Sequence, residues 1–80
     1  MKNISKNTGL AIRNLRISLG FSQEKLAELS GLHRTYISDV ERGSRNVTLI
    51  SLSKIADALQ IPLSGLIRKA EYYEQYPKNR

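Results

Sequence analysis

Hydrophobic residues recur along the chain at intervals of three and four positions, the spacing of helices that bury one face. The stripes fall into separate segments, and polar residues, glycine or proline lie between them. The first stripe is carried by Ile12, Leu15 and Leu19, and the fourth by Leu49, Leu52, Ile55, Ala56 and Leu59. The pattern predicts an all-α fold with five helices.

The stretch from Ser22 to Arg45 contains two short helices separated by a tight turn. Ser22 is a good N-cap residue, and Glu24 follows where a carboxylate favours the positive end of the helix dipole. Gly31 can adopt a positive φ, which lets the chain reverse before a new helix begins. The predicted inward residues of the earlier helix are Leu26, Ala27 and Leu29. Two helices joined in this way form a helix-turn-helix, at about residues 22–43.

The later of these two helices has a polar outer face at its first turn. Its inward residues are Leu32, Ile37 and Val40, and its outward residues are Arg34, Thr35, Ser38, Asp39 and Arg42. Ala27 is either the small residue that lets the two helices cross closely or an ordinary helix former. An exposed polar turn at the start of a short helix is suited to recognition of a partner.

The flanking helices are predicted from their caps and breaks. Residues 1–7 are polar and are expected to be frayed, and the first helix is expected to begin at Asn7 or Thr8. Phe21, the only phenylalanine, is expected in the core. Thr48 is the expected cap of the fourth helix, and Pro62 separates it from a fifth helix at about residues 63–76.

The fifth helix carries more apolar surface than a small domain should expose. Leu63, Leu66 and Ile67 define its apolar face, and three tyrosines follow, at positions 72, 73 and 76. Either this face packs onto the fourth helix, or it forms a two-fold homodimer interface with the tyrosines at its edge. We favour the homodimer.

The composition narrows the classes of partner and excludes several kinds of chemistry. Eighty residues form one domain, 1–80, and the net charge of +6 with a pI near 10.0 favours an anionic partner. The basic residues are spread over several helices, which argues against a membrane-surface helix. With no cysteine and a single histidine, we expect no metal, no cofactor and no catalytic centre. The N-terminus has no apolar signal core, so we expect a cytoplasmic protein.

The first turn of the second helix of such a motif enters the major groove of DNA. Arg34 can pair with guanine through its planar fork, and the other candidate base readers are Thr35, Tyr36 and Ser38. The candidate phosphate contacts are Gln23, His33, Arg45 and Asn46. Asp39 faces the same surface, where it either accepts a hydrogen bond from cytosine or, as we favour, neutralises Arg42.

The run SQEKLAELSGLHRTYISDVERGSRNVTL resembles the helix-turn-helix of the phage repressor and Cro group. Its shared motifs include Ser22-Gln23-Glu24, Gly31 and Glu41-Arg42-Gly43, and the resemblance covers roughly residues 8 to 70. Within the run, Arg34-Thr35-Tyr36 and Ser44-Arg45-Asn46 are similar to restriction-modification controller proteins.

The resemblance implies a five-helix, lambda-repressor-like fold and a homodimer on a palindromic double-stranded DNA operator. It also implies a partly buried ion pair between Arg16 and Glu41, where the alternative is two unrelated surface charges. A controller would activate its own promoter at low dose and repress it as a second dimer loads. A phage-type repressor, a general regulator and, less favoured, a protein-binding antitoxin or adaptor remain alternative functions.

Overall fold

The computed structural model describes residues 3–77, and this part of the chain forms five α-helices and no strand. The helices are α1 (Ile4–Ser18), α2 (Gln23–Ser30), α3 (Arg34–Glu41), α4 (Leu49–Ala58) and α5 (Leu63–Gln75). The predicted all-α fold with five helices is confirmed.

The predicted caps of α2 and α4 and the predicted turn at Gly31 are confirmed. The Ser22 hydroxyl accepts a hydrogen bond from the Lys25 N–H at 3.0 Å, and the Thr48 hydroxyl caps α4 in the same way. Gly31 adopts φ +74° and its N–H donates to the Ala27 carbonyl at 2.9 Å, which closes α2 and begins the turn to α3. Pro62 immediately precedes α5.

The expected start of α1 is wrong, because the helix begins at Ile4, three to four residues before the predicted cap. Asn7 and Thr8 are buried within the helix and do not cap it. The C-terminal helix explains the longer α1: the Glu74 carboxylate accepts hydrogen bonds from the Asn3 N–H and the Asn7 amide, each at 3.1 Å. Asn14 donates to the Tyr73 hydroxyl at 2.8 Å. The partners in these three hydrogen bonds are 71, 67 and 59 residues apart in the sequence, so local sequence signals do not reveal them.

The core lies between α1, the helix-turn-helix and the two C-terminal helices. Its fully buried large side chains are Ile12, Leu26, Ile37, Ile55 and Leu66. At Gly9, α1 passes so close to the end of α3 that an added Cβ would lie 2.3 Å from the Val40 carbonyl oxygen. Gly9 therefore sets the separation of α1 and α3, and α3 in turn carries the candidate base readers.

Several residues predicted to point inward are exposed. Leu19, Leu29 and Leu49 are all among the exposed large hydrophobic residues, and Phe21 is only half-buried. The short helix α2 buries Leu26, Ala27 and Ser30, so Leu29 lies outside that narrow stripe. The apolar pattern of the sequence thus includes more residues than the helices bury in the core.

Leu66, at the centre of the predicted homodimer interface, is not on the surface of the protomer. Leu66 is 0% exposed and belongs to the protomer core, while Leu63 and Ile67 are partly buried against that core. Leu66 is buried because α5 packs chiefly on α1 and to a smaller extent on α4, the helix named in the alternative prediction. The most exposed large apolar residues are instead Leu49 and Ile50 at the start of α4, at 70% and 71%.

Candidate nucleic-acid interface

Arg34 and Thr35 form the exposed first turn of α3, immediately after the turn that ends α2. The Arg34 Nε lies 3.3 Å from Oε2 of Glu24, and both side chains are more than half exposed. Such an exposed pair contributes only ~0 to 1 kcal/mol, so it does not prevent the guanidinium from reaching a partner in solution. The structure therefore presents Arg34 on the outer surface, as the sequence predicts.

A buried ion pair fixes α3 against α1. Arg16 donates to both carboxylate oxygens of Glu41, from Nε at 2.7 Å and from Nη2 at 3.0 Å, and the two side chains are 12% and 3% exposed. Its third nitrogen donates to the Phe21 carbonyl at 2.8 Å. The pairing implied by the resemblance is present, and the bidentate geometry is the strong form of an arginine–carboxylate contact.

Gln23 takes part in the same network. Its amide donates to Oε1 of Glu41 at 3.0 Å, so this side chain at the start of α2 is oriented by the buried pair and does not extend freely into solvent. The amide nitrogen has a second N–H, and the backbone N–H groups of the first turn of α2 remain available to an anion. Through Glu41, the Gln23 side chain on α2 is therefore linked both to α3 and to Arg16 on α1.

Tyr36 differs from its sequence-based interpretation. Its ring is half-buried, and its hydroxyl is buried with no hydrogen-bond partner among the described residues. The Arg45 guanidinium covers the ring at 4.9 Å from its centroid. The side chain packs inward against the core, so in this conformation the Tyr36 hydroxyl does not lie on the outer surface with the other candidate base readers.

Asp39 lies at the centre of a group of polar side chains on the outer face of α3. Its carboxylate accepts from Arg42 through Oδ1 and from Arg45 through Oδ2, the latter at 3.3 Å. Arg42 also donates to the Ser38 hydroxyl at 2.7 Å. The predicted neutralisation of Arg42 by Asp39 is confirmed. The additional contact of Asp39 with Arg45 links α3 to the following loop.

The remaining candidate phosphate contacts flank this surface. His33 occupies the N-cap position of α3, and its side chain makes no capping hydrogen bond. Asn46 is exposed in the loop between α3 and α4, next to Arg45. The base-reading and phosphate-contacting candidates therefore line α3 and both of its ends, with Tyr36 the one whose polar group is turned inward.

Residues 3–77 contain neither a metal-binding cluster of side chains nor a membrane-spanning helix. The described side chains include no group of three or more histidine, cysteine, aspartate or glutamate residues that could hold a metal ion. Over the same range, every helix is too short or too polar to cross a bilayer.

Comparison with known proteins places this geometry in a family. The family model described as "Helix-turn-helix" matches residues 12–66, which is more than half of the chain. This chain belongs to that helix-turn-helix family. The match includes both helices of the motif, the Arg16–Glu41 pair and the start of α5.

The similar members of the family include restriction-modification controller proteins. Control protein C.BamHI of Bacillus amyloliquefaciens is 48% identical over 66 residues, which cover 81% of this chain and 82% of that protein. Control protein C.SmaI of Serratia marcescens is 50% identical over 58 residues, or 72% of this chain and 69% of that one. The crystal structure of the restriction-modification controller protein C.AhdI from Aeromonas hydrophila has a TM-score of 0.76 at 45% identity, covering 82% of this chain and 98% of that chain.

Sequence reasoning missed three features of this surface. The hydrogen bond of Gln23 to Glu41, the inward hydroxyl of Tyr36 and the bridge from Asp39 to Arg45 all depend on tertiary packing. Only the bridge had a local signal, because an acidic residue three positions before Arg42 and six before Arg45 can reach both when the helix ends in a tight loop.

Proposed function

We propose that this protein is a sequence-specific regulator of transcription that binds double-stranded DNA through α3. The observation that carries the proposal is the exposed pair Arg34 and Thr35 on the first turn of α3, held in place by the buried Arg16–Glu41 pair. A major groove admits this part of a helix-turn-helix, and an arginine there can discriminate guanine by ~1 to 3 kcal/mol. Thr35 and Ser38 are the further proposed readers.

The phosphate contacts are proposed on both flanks of α3. Arg45 and Asn46 would bind the backbone on one side, and Gln23 with the N-terminal N–H groups of α2 on the other. His33 lies between these flanks at the start of α3. Tyr36 would act mainly through its ring edge and through the arginine that covers it. Affinity should fall steeply with salt, because each lysine or arginine contact releases condensed cations.

A homodimer is proposed because one motif covers too few base pairs for useful specificity. Two copies of α3 would lie about one duplex turn apart, ~34 Å, on an imperfect palindrome. The proposed interface centres on Leu49 and Ile50, because two exposed large apolar side chains on one turn are costly for a monomer. Leu63 and Ile67, which are partly exposed, are candidates for its border. Burying apolar area there contributes ~25 cal/mol per Å² before the costs of association.

The biological role we propose is that of a restriction-modification controller that regulates its own promoter in the bacterial cytoplasm. Support comes from the similarity to C.BamHI and C.AhdI, which extends over 82% and 98% of their lengths. A controller's own gene should lie beside genes for a methyltransferase and an endonuclease. Neighbouring phage or metabolic genes would instead favour a phage-type repressor or a general regulator.

A protein-binding adaptor is the other class of function to be separated. Selection of duplexes from a random pool, followed by gel-shift titration against random-sequence competitor, makes the distinction. We expect an imperfect palindrome to be selected and to resist the competitor. A pool that yields no consensus, with binding abolished equally by any duplex, would contradict the proposal.

A further inference from the structure

The carboxylate of Asp39 is an unexpected group on a surface that should meet phosphates. Its side chain is only 20% exposed, and both of its oxygens accept from arginines, one from Arg42 at the C-cap of α3 and one from Arg45 in the following loop. The Asp39 carbonyl accepts two further hydrogen bonds from Ser44, from the N–H and from the hydroxyl, each at 3.1 Å. Residue 39 therefore binds the loop through both its backbone and its side chain.

Arg45 is held by two contacts of different kinds. Its Nη2 donates to Oδ2 of Asp39 at 3.3 Å, and its guanidinium lies over the Tyr36 ring at 4.9 Å from the centroid. An aromatic face attracts a cation, and a carboxylate at the edge of the guanidinium fixes its plane. A guanidinium has five N–H donors, so this arrangement leaves other donors for a phosphate. The side chain is about half exposed and thus reachable.

We propose that Asp39 is a positioning residue of the DNA-binding surface, which orders Arg45 on the Tyr36 ring before DNA is bound. The inference rests on the proposed function and deepens it. A long side chain that must be immobilised on binding lowers affinity, and an arginine that is already ordered avoids most of that loss. The negative charge of Asp39 is already neutralised by two guanidinium groups, so its repulsion of phosphates is small.

Asp39→Asn tests this proposal because it keeps the shape of the side chain and removes the charge. We expect the variant to bind the selected operator roughly two- to tenfold more weakly near physiological ionic strength. This factor corresponds to the entropic cost of immobilising one long side chain on binding. If Asp39 only repelled phosphates, the variant would bind all duplexes more tightly, which would overturn the proposal. Asp57→Asn is the matched control, since Asp57 is exposed on α4 and the same substitution there should leave operator affinity unchanged.

A double-mutant cycle separates positioning from other effects of the lost charge. Asp39→Asn should weaken the operator complex in the wild-type background and have little effect when Arg45 is already glutamine, because its action passes through that side chain. Equal losses in both backgrounds would show that Asp39 acts independently of Arg45. Should Asp39→Asn fail to fold, Arg45→Lys is the replacement variant. Lysine keeps the positive charge but lacks the planar guanidinium, so the affinity for the operator should fall. An unchanged affinity would contradict the positioning role.

A measurement on the free protein keeps this inference distinct from the proposed function. In the wild type, side-chain proton resonances of Arg45 should be shifted upfield by the Tyr36 ring, and Asp39→Asn should move them toward ordinary values while Asp57→Asn should not. Unmoved resonances would overturn the positioning role even if DNA binding is confirmed. Failure of the wild type to select any operator would refute the proposed function, and the resonances would still decide whether Asp39 orders Arg45.

Discussion

Glu41→Gln should destabilise the fold strongly, because it leaves the buried Arg16 guanidinium without a counter-charge. The Glu41 carboxylate accepts three hydrogen bonds, two from Arg16 and one from Gln23, and its side chain is 3% exposed. Removing one partner of a buried ion pair typically costs ~3 to 5 kcal/mol. The glutamine carbonyl can still accept one of these bonds, so we expect a loss near ~3 kcal/mol.

This loss is large relative to the stability of the whole domain. A chain of this length has an unfolding free energy of roughly 4 to 12 kcal/mol, and each kcal/mol lost lowers the Tm of such a domain by ~4 to 8 °C. Glu41→Gln should therefore lower the Tm by at least ~12 °C and shift the urea midpoint without changing the slope of the transition. Far-UV circular dichroism at one fixed protein concentration measures both, since a dimer makes apparent stability depend on concentration.

The control is a lysine–glutamate ion pair that is exposed to solvent on α2. The Lys25 Nζ lies 3.6 Å from Oε1 of Glu28 on α2, and both side chains are exposed. Glu28→Gln should cost at most ~1 kcal/mol. If Glu41→Gln costs no more than Glu28→Gln, the buried pair does not fix α1 against α3, and the account of how α3 is held is wrong.

Three further substitutions test the packing, the dimer and the phosphate contacts. Gly9→Ala should cost ~1 to 3 kcal/mol in urea unfolding, since its Cβ would lie 2.3 Å from the Val40 carbonyl oxygen; an unchanged midpoint would show that the helices separate freely. Ile50→Asp should give a folded monomer in sedimentation, whereas Leu66→Asp should unfold the protomer; a persistent Ile50→Asp dimer would place the interface elsewhere. Arg45→Ala should weaken all duplexes alike and lower the salt slope by about 1, and a sequence-selective loss would make Arg45 a base reader.

The helices and turns were predictable because their signals are local. Ser22, Gly31, Thr48 and Pro62 each act within one turn of the chain, through a cap, a positive φ or a blocked N–H. The exposed first turn of α3 followed from the same signals, since the position of the turn decides which residues begin the helix. Local chemistry thus placed Arg34 and Thr35 at the exposed first turn.

The errors arose where distant residues decide exposure. Asn7 is buried because Glu74 on α5 accepts from it, and Leu66 is buried because α5 packs on α1. Neither contact has a periodic signal in the sequence. The inward direction of the Tyr36 hydroxyl was missed for the same reason, since a tyrosine at a half-buried helix position can direct its hydroxyl inward or outward, and the surrounding core and Arg45 select between the two.

The most direct test of the central claim compares wild type and Arg34→Ala on the selected operator and on every single-base-pair variant of one half-site. Arg34 is exposed at the start of α3, so the substitution should leave the fold intact. We expect the wild type to discriminate one guanine position by ~1 to 3 kcal/mol and Arg34→Ala to lose that discrimination at this position alone. An Arg34→Ala variant that keeps every base preference of the wild type would contradict the claim that α3 reads DNA through this arginine.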